Sequence, residues 1–251
     1  METYNSRIIK YATEQQITFY KKSITKGKET NIKLNKGYRN PDRTQEQEKE
    51  CTRVSINQTK NRIYQLARAN RWEWFITMTF DRKRTDASDY DEITKALHKF
   101  LNNLRMNYCP DLIYLIVPEL HSDKKHYHFH GLIANTGNLQ FTYSGHTDRK
   151  SGRPIFNIVQ WKLGWTTATR VTDTAKVSGY ITKYITKECC SVLKNKKRYY
   201  TSHNIVRPQI QYEILSEEEF LAYYGDKIKY CKSINVPQSG QTISYYELDY
   251  D

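Results

Sequence analysis

Three histidines alternate with two aromatic residues in the segment 126–130, which reads HYHFH. Successive side chains of a β-strand point to opposite faces, so a strand here would place all three imidazoles on one face. Imidazoles two residues apart present nitrogen ligands close to each other, which is a common way of holding a divalent cation. The alternative is a polar strand face on which the histidines are only solvated.

A carboxylate that can join these histidines is Glu119, at the end of the apolar run DLIYLIVPEL. The polar segment HSDKK follows the run and predicts a hairpin, which would return the chain so that the histidines lie beside Glu119. One carboxylate with two imidazoles suits Mg²⁺ or Mn²⁺ better than a site built from thiolates would. The alternative for Glu119 is a plain turn residue after Pro118.

Two tyrosines and two lysines, Tyr180, Lys183, Tyr184 and Lys187, follow the spacing i, i+3, i+4, i+7. This spacing places them on one face of a helix predicted from Thr174 to about Leu193. A tyrosine attacks a phosphodiester as a phenolate, and its free pKa is near 10; a nearby lysine favours the charged form, and a metal ion polarises the phosphate. The chain has 21 tyrosines, so the spacing alone does not establish this role, and packing or phosphate binding is the alternative.

The charge of the chain favours a polyanionic partner. The formal net charge is +13, and the segment 41–210 holds 28 Lys and Arg against 16 Asp and Glu, so the positive charge is centred on the segment with the histidines and tyrosines. Tyr199, Tyr200, Trp161 and Trp165 are aromatic residues that can stack on unpaired bases. The basic residues predicted to contact nucleic acid are Arg82, Lys83, Arg84, Lys194, Lys196, Lys197 and Arg198.

Helices and strands both follow from the apolar pattern, which predicts an α+β fold. The predicted helices are 42–70, a helix capped by Asp86 or Ser88 with an apolar stripe from Ile93 to Leu104, the helix 174–193 with Val177, Ile181 and Ile185 facing the core, and a short acidic helix opened by Ser216 and Glu219. The predicted strands are 72–80, DLIYLIVPEL, HYHFHGLIAN and the tail ISYYELDYD. Residues 1–40 are expected to form a basic extension or a short hairpin, and 135–170 an irregular segment.

Three of these segments, in this order, resemble the motifs of the HUH endonucleases, in particular the rolling-circle replication initiators. WFITMTFD (74–81) resembles their first strand motif. His128-Phe129-His130, between PEL and GLI, resembles the H-U-H motif, in which U is an apolar residue. The segment 180–187, YITKYITK, resembles the two-tyrosine form of the third motif, found in small single-stranded-DNA phages and some plasmids, and the Trp/Gly segment 161–165 lies between the second and third motifs. The resemblance covers roughly 72–190. Conjugative relaxases place the tyrosine before the HUH strand, whereas it follows that strand here.

The resemblance implies an antiparallel, five-stranded HUH/RRM-like sheet with helices packed on one face. It divides the chain into an N-terminal basic extension and helix (1–70), an endonuclease core (71–200) and a C-terminal extension of the same domain (201–251). It assigns catalysis to Tyr180, Tyr184, Lys183 and Lys187. It assigns the binding of Mg²⁺ or Mn²⁺ to Glu119, His128 and His130, with His126 as an alternative ligand.

The implied function is sequence-specific nicking and joining of single-stranded origin DNA through a 5′-phosphotyrosine, which initiates and terminates rolling-circle replication. The alternatives are an HUH transposase acting on element ends and a non-catalytic single-stranded DNA-binding protein on the same fold. The sequence contains no GxxxxGK[ST] loop, so a host helicase, together with a host polymerase, is expected to be the partner.

The remaining composition predicts a protein of a reducing cytoplasm, and the resemblance implies that this is the cytoplasm of a bacterial host cell. The five cysteines are odd in number and include no CxxC pair, which favours neither a disulfide framework nor a structural zinc site. No apolar run approaches the roughly 18 residues that a membrane span requires. The oligomeric state does not follow from the sequence.

Overall fold

The computed structural model describes residues 3–25, 44–193, 196–237 and 239–249. The chain forms two compact units: unit one combines residues 1–44 with 207–251, and unit two comprises residues 45–206. These boundaries differ from those drawn at residues 70 and 200. Of the predicted helix 42–70, Gln45–Arg68 is helical and packs on the sheet of unit two, while residues 42 and 43 lie outside the described residues. Strands within residues 3–25 pair with strands near the C-terminus.

The described residues contain twelve strands and five α-helices. The strands are β1 (Thr3–Lys10), β2 (Glu14–Thr25), β3 (Trp74–Phe80), β4 (Ile113–Leu120), β5 (Tyr127–Ala134), β6 (Phe141–Thr147), β7 (Pro154–Ile158), β8 (Gly164–Arg170), β9 (Tyr200–Thr201), β10 (Gln209–Glu213), β11 (Ile228–Val236) and β12 (Gln241–Asp249). The helices are α1 (Gln45–Arg68), α2 (Tyr90–Asn107), α3 (Thr174–Ile181), α4 (Lys187–Val192) and α5 (Glu217–Tyr224). Among the helices described, none has the length and apolar character needed to cross a membrane.

The fold is α+β with two antiparallel sheets, so the prediction of one five-stranded sheet is wrong. Unit two holds a seven-stranded sheet of order β6-β7-β8-β3-β5-β4-β9, and unit one a five-stranded sheet of order β10-β1-β2-β12-β11. Three strands of the larger sheet, β6 to β8, lie in the segment expected to be irregular. The seven residues of β6, FTYSGHT, include none that is buried, so this strand lacks the apolar alternation by which strands are recognised.

One face of the seven-stranded sheet packs against α2. The alternating residues Trp74, Ile76, Met78 and Phe80 of β3 are buried there. The predicted apolar stripe of α2 lies opposite them and is also buried, which confirms that helix. Its N-cap is Asp89, whose side chain accepts hydrogen bonds from the backbone N–H groups of the next turn, rather than Asp86 or Ser88.

The other face of the same sheet packs against α1 and α3, so the helices are not confined to one face as predicted. Leu115 and Leu132, on β4 and β5, form a second core cluster with Ile63 of α1. Ile181 and Ile185 join this cluster and are buried, as the predicted stripe requires, and Val177 packs against it. The candidate site described below lies on this face.

Unit one is a five-stranded sheet with α5 against it. Ser216 caps α5 by accepting a hydrogen bond from the backbone N–H of Glu219 at 3.2 Å, which confirms the predicted short helix. The tail forms β12 as far as Asp249 and pairs with β2, which confirms the final strand over these residues; Tyr250 and Asp251 lie outside the described residues. Phe19, Phe220 and Leu248 are buried in the core of this unit.

Gly164 allows β8 to begin directly beside β3. Its φ is +154°, and a Cβ atom there would lie 2.2 Å from the backbone oxygen of Thr79. We expect Gly164→Ala to lower the free energy of unfolding by about 2–4 kcal/mol, because alanine is strained at this φ and overlaps backbone atoms that cannot move aside. Gly179→Ala is the control: nothing lies within 4 Å of its added Cβ, and it should stabilise α3 by ~0.5–1 kcal/mol.

Unfolding in urea, followed by tryptophan fluorescence, measures both changes, because all four tryptophans lie in unit two. Equal midpoints for Gly164→Ala and the unchanged protein would show that the start of β8 tolerates a side chain.

Candidate active site

Four neighbouring strands place side chains in a row across one face of the seven-stranded sheet. Glu119 pairs with His128, His128 with Thr79, and Thr79 with Trp165. Side chains of directly paired residues point to the same face, so these four lie side by side. The next row contains His130 of β5 and Thr77 of β3. The predicted hairpin of β4 and β5 is therefore confirmed, and β3, which carries the first motif, pairs directly with β5.

Both histidines are held from β3 by threonine hydroxyls. Thr79 Oγ1 and His128 Nδ1 are 3.0 Å apart, and Thr77 Oγ1 and His130 Nδ1 are also 3.0 Å apart. These hydrogen bonds fix the two rings and leave Nε2 as the outward nitrogen of each. The two threonines were not among the predicted site residues. They could nevertheless have been found from the sequence, since the two threonines are two residues apart in the strand WFITMTF and therefore share a face.

Glu119 and His130 are in direct contact, with 2.6 Å between Glu119 Oε2 and His130 Nε2. His128 lies on the same face and stacks on His121, with ring centroids 4.7 Å apart. Burial, followed by the charges of His121 and His130, lowers the pKa of His128 to about 4. His128 is therefore neutral at physiological pH, the form in which an imidazole binds a metal.

His126 takes no part in the strand row. It precedes β5, and its Nδ1 lies 2.7 Å from Asp123 Oδ2 within the turn between β4 and β5. His126 therefore belongs to the turn, and only two of the three histidines expected on a single strand face lie on it. The side chain still lines the groove beside His128 that is described below.

The donor set on this face suits a divalent cation, although the side chains are not arranged around one. In the described part of the chain, no three His, Cys, Asp or Glu side chains are grouped with metal-binding geometry. Two imidazoles with hydrogen-bonded second nitrogens and one carboxylate are nevertheless donors that fit Mn²⁺ or Mg²⁺. Glu119 and His130 already meet, and His128 is the adjacent donor.

The threonine hydrogen bonds predict a measurable effect on metal binding. We expect Thr79→Val and Thr77→Val each to weaken Mn²⁺ binding by about 10- to 100-fold, because a freed imidazole ring loses its fixed orientation. Thr167→Val, an exposed position of β8 in the same row as Thr77, is the matched control and should bind Mn²⁺ normally. Isothermal titration calorimetry measures the affinities. Unchanged affinity in both β3 variants would contradict this role of the threonines.

The two tyrosines lie beside the histidines, over the same sheet face. The ring of Tyr184 stacks on His130, with centroids 3.6 Å apart and planes 11° apart. Tyr180 meets Tyr184 edge-on at 5.6 Å, and both contact Phe75 of β3. Tyr180 is 45% exposed, whereas Tyr184 is half-buried. Burial, followed by the contact with Tyr180 and the negative charge of Glu119, raises the pKa of the Tyr184 phenol well above its usual value.

The helix predicted through both tyrosines is interrupted. Helix α3 ends at Ile181, Thr182–Tyr184 form a 3-10 turn, and Ile185 has a φ of −83° and a ψ of 80°. Thr186 then caps α4, its Oγ1 accepting a hydrogen bond from Cys189 N at 3.1 Å. A threonine that can bond to nearby backbone competes with helix continuation. The two phenols are therefore not related by one α-helical turn.

This interruption separates the two lysines expected to assist the tyrosines. Lys183 Nζ lies 4.9 Å from the ring centroid of Tyr180, so it stays with the aromatic pair. Lys187 begins α4 and lines a groove along α1, together with Lys60. Because the continuous helix was the reason for placing all four residues on one face, the structure brings only Lys183 to the tyrosines.

The predicted DNA-binding residues fall into two groups. Arg82, Lys83 and Arg84 follow β3 and line the rim of the histidine face; Arg82 pairs with Asp123 at 2.8 Å, and Arg84 donates to the backbone oxygen of Lys162 at 2.8 Å. Most residues of the second group contact other side chains of the protein. Lys196 pairs with Asp91 at 2.6 Å, Arg198 donates to Ser55 of α1 at 2.9 Å, Lys197 lies 6.0 Å from the ring centroid of Tyr200, and Lys194 lies outside the described residues.

The four aromatic residues expected to stack on bases have different environments. Tyr200 and Trp161 are 5% and 4% exposed and belong to the core, so this expectation is wrong for both. Tyr199 packs in part against the second core cluster. Trp165 is 64% exposed. Only Trp165 of the four presents a free aromatic surface on the histidine face.

Residues 73–189 match the family model of the replication-associated protein ORF2. The matched segment contains the histidines, Glu119, both threonines and both tyrosines. No curated protein and no solved structure gives a significant match to the chain. The similarity indicates a role in DNA replication and is consistent with a Rep-type replication initiator.

Proposed function

We propose that this protein is a metal-dependent endonuclease that nicks and rejoins single-stranded origin DNA, and so starts rolling-circle replication, with a tyrosine as nucleophile. The observation that carries this proposal is the stack of Tyr184 on His130, which itself contacts Glu119 at 2.6 Å. Two candidate nucleophiles, Tyr184 and Tyr180, thus lie beside a donor set for a divalent ion on one face. This face lies inside the segment that resembles replication-associated proteins.

The chemistry is a transfer of a phosphodiester bond onto the tyrosine. The phenolic oxygen attacks phosphorus, a tyrosine O–P bond forms, and the bond from phosphorus to the 3′-oxygen breaks. The phenol releases its proton to solvent, and the 3′-oxygen takes one up to become a 3′-OH that a host polymerase extends. A divalent ion bound by Glu119, His128 and His130 would polarise the phosphate. The phosphotyrosine ester retains the free energy of the broken phosphodiester bond. Attack by a 3′-OH on this ester therefore rejoins the strand without ATP.

The residues around the two tyrosines give them different environments. Lys183 Nζ lies over the ring of Tyr180, 4.9 Å from its centroid, and so places a positive charge beside that tyrosine. Phe75 packs against both tyrosine rings and limits their movement over the sheet. Tyr180 is the more accessible of the two to a strand arriving from solvent, since His130 and Phe75 cover Tyr184.

A covalent adduct is the direct test. The protein is incubated with single-stranded DNA from its own replicon and Mn²⁺, denatured, and examined for DNA attached to tyrosine by gel electrophoresis and peptide mass spectrometry. We expect an adduct that requires Mn²⁺ and maps to Tyr180 or Tyr184. Binding without any adduct would favour a non-catalytic single-strand binder. Cleavage confined to the ends of a mobile element would favour the transposase alternative.

Salt dependence tests whether the positive charge contacts DNA. The segment 41–210 holds 28 Lys and Arg against 16 Asp and Glu. We therefore expect the logarithm of the affinity for single-stranded DNA to fall linearly with the logarithm of the salt concentration, with a slope of about −0.7 per phosphate neutralised. Fluorescence anisotropy in EDTA measures this without cleavage. A nearly flat dependence would show that these charges are not at the interface.

A further inference from the structure

Trp165 is a large aromatic side chain exposed on the same face as the candidate site. It is 64% exposed, although an indole buries much apolar surface when it packs in a core. Its cross-strand partner is Thr79, which holds His128. Trp165 therefore lies in the same row as His128, two strands away.

The segment WKLGW positions this indole by giving its two tryptophans different roles. Trp161 is buried, and its Nε1 donates a hydrogen bond to the backbone oxygen of Thr79 at 3.2 Å. Gly164 then brings the chain against the backbone of Thr79 and Phe80, closer than any side chain would permit. Trp165 is the next residue, and the alternation of β8 turns it to the histidine face. The segment thus anchors one indole and exposes the other.

Trp165 forms one wall of a groove of about 360 Å³. The other walls include imidazoles and basic side chains: His121, His126, His128, Arg82 and Lys83. Flat aromatic surface stacks on a nucleobase, and a guanidinium or ammonium group contacts the phosphate or the base face. Asp81 also lines the groove, and its carboxylate accepts from the backbone N–H of Lys83 at 3.0 Å. This combination suits a single unpaired nucleotide.

The position of the groove relative to the tyrosines determines which nucleotide it can take. The tyrosines contact Phe75 and His130, while the groove lies at Thr79, four residues along β3 and roughly 13 Å from Phe75. In an in-line displacement the leaving oxygen is on the opposite side of phosphorus from the attacking oxygen. With a tyrosine as nucleophile, the leaving 3′-oxygen points away from the tyrosines and towards the groove.

We propose that the Trp165 groove binds the nucleoside immediately 5′ of the nick, the one that departs with the free 3′-OH, by stacking its base on the indole. This rests on the proposed function, because it takes the bond exchange at a tyrosine as given. When the phenolic oxygen bonds to phosphorus and the 3′-oxygen takes up a proton, the groove retains the departing end. Retention keeps the 3′-OH beside the phosphotyrosine, where it can attack again in the joining step.

The test combines Trp165 variants with abasic substitutions in the DNA. The nick is first mapped with the wild-type protein, and oligonucleotides are then made with an abasic site immediately 5′ or immediately 3′ of it. We expect Trp165→Ala to weaken binding of the intact oligonucleotide in EDTA on the order of tenfold. The 5′ abasic site should weaken wild-type binding by a similar factor and have little further effect on Trp165→Ala, since both changes remove the same stack. Trp165→Phe should retain much of the affinity.

Tyr143→Ala controls for the loss of an exposed aromatic residue elsewhere in the sheet, since Tyr143 is on β6 and 52% exposed. It should respond to both abasic sites as the wild type does. Joining provides a second readout: Trp165→Ala should lose more of the rejoining activity than of the first nick, because the 3′-OH end dissociates sooner.

The outcomes separate this inference from the proposed function. The groove assignment would be overturned, and nicking left in place, if the adduct forms but the loss caused by Trp165→Ala is non-additive with that of the 3′ abasic site. The same holds if it is additive with the losses of both abasic sites. No adduct with the wild-type protein would end both. Equal losses for Trp165→Ala and Tyr143→Ala would show that the effect is not specific to the Trp165 groove and would overturn the assignment.

Discussion

Replacing both tyrosines by phenylalanine should abolish covalent attachment to DNA, with a loss of at least about a thousandfold, because Tyr180 and Tyr184 are the phenols that the structure places over the histidine face. The single variants should differ from each other. Tyr180 is 45% exposed and beneath Lys183, whereas Tyr184 is held between His130 and Phe75. We expect Tyr180→Phe to suffer the larger loss in the first nick, and both single variants to form some adduct.

Strand transfer between two origins should require both tyrosines, because in the proposed mechanism one would hold the parental 5′ end while the other cuts the regenerated origin. Quantitative adduct gels and a two-origin transfer assay measure the two activities. Tyr143→Phe is a matched control, being an exposed tyrosine outside the site. Adduct in the double variant would place the nucleophile elsewhere and remove the assignment of both tyrosines. If one single variant transfers strands as the wild type does and the other is inactive, the enzyme uses a single nucleophile.

Removal of either imidazole should stop nicking and leave single-strand binding largely unchanged. His130→Ala should have the larger effect, because His130 contacts Thr77, Glu119 and Tyr184 at once. We expect a loss of at least about a thousandfold in adduct formation, since both a proposed metal donor and the ring that supports Tyr184 are lost. His128→Ala removes a donor without disturbing the tyrosine stack and provides the second variant.

His98→Ala is the control for the histidine variants, because His98 is exposed on α2, which packs on the opposite face of the sheet. Each variant is compared by adduct formation in Mn²⁺, by DNA affinity in EDTA and by thermal unfolding. The loss of hydrogen bonds at His130 should cost about 1–3 kcal/mol of stability, which the unfolding curves will show separately. Nicking at the wild-type rate by a folded His128→Ala or His130→Ala would contradict the proposed metal site.

Several features of the site could be predicted from the sequence because they depend on local periodicity. The alternation in HYHFH places His128 and His130 on one strand face, and the short polar segment HSDKK closes the hairpin that returns the chain to Glu119. The apolar stripe of α2 and the cap at Ser216 were likewise predictable from neighbouring residues alone. Each of these features is determined by residues within a turn or a hairpin, where backbone geometry leaves few alternatives.

The tertiary structure decided which side chains are available for chemistry. Trp161 and Trp165 are four residues apart in one segment, yet one is buried and the other exposed, because Gly164 brings the chain against β3 between them. Tyr200 is buried, and its hydroxyl lies 2.9 Å from that of Tyr90, 110 positions away. A chain segment alone does not specify which of its aromatic residues another strand will cover.

The interruption after α3 and the second sheet also depend on more than local pattern. Thr186 can either continue a helix or cap the next one. In the structure it caps α4, and Ile181 and Ile185 are buried against α1 and β4. In unit one, β2 pairs with β12 through partners such as Phe19 and Ser244, more than 200 residues apart by their numbers. The sequence by itself determined the chemistry of the face through residue types at fixed local spacing. Long-range pairing determined the sheets, the available tryptophan and the lysine that remains beside the tyrosines, because these depend on contacts that no local period encodes.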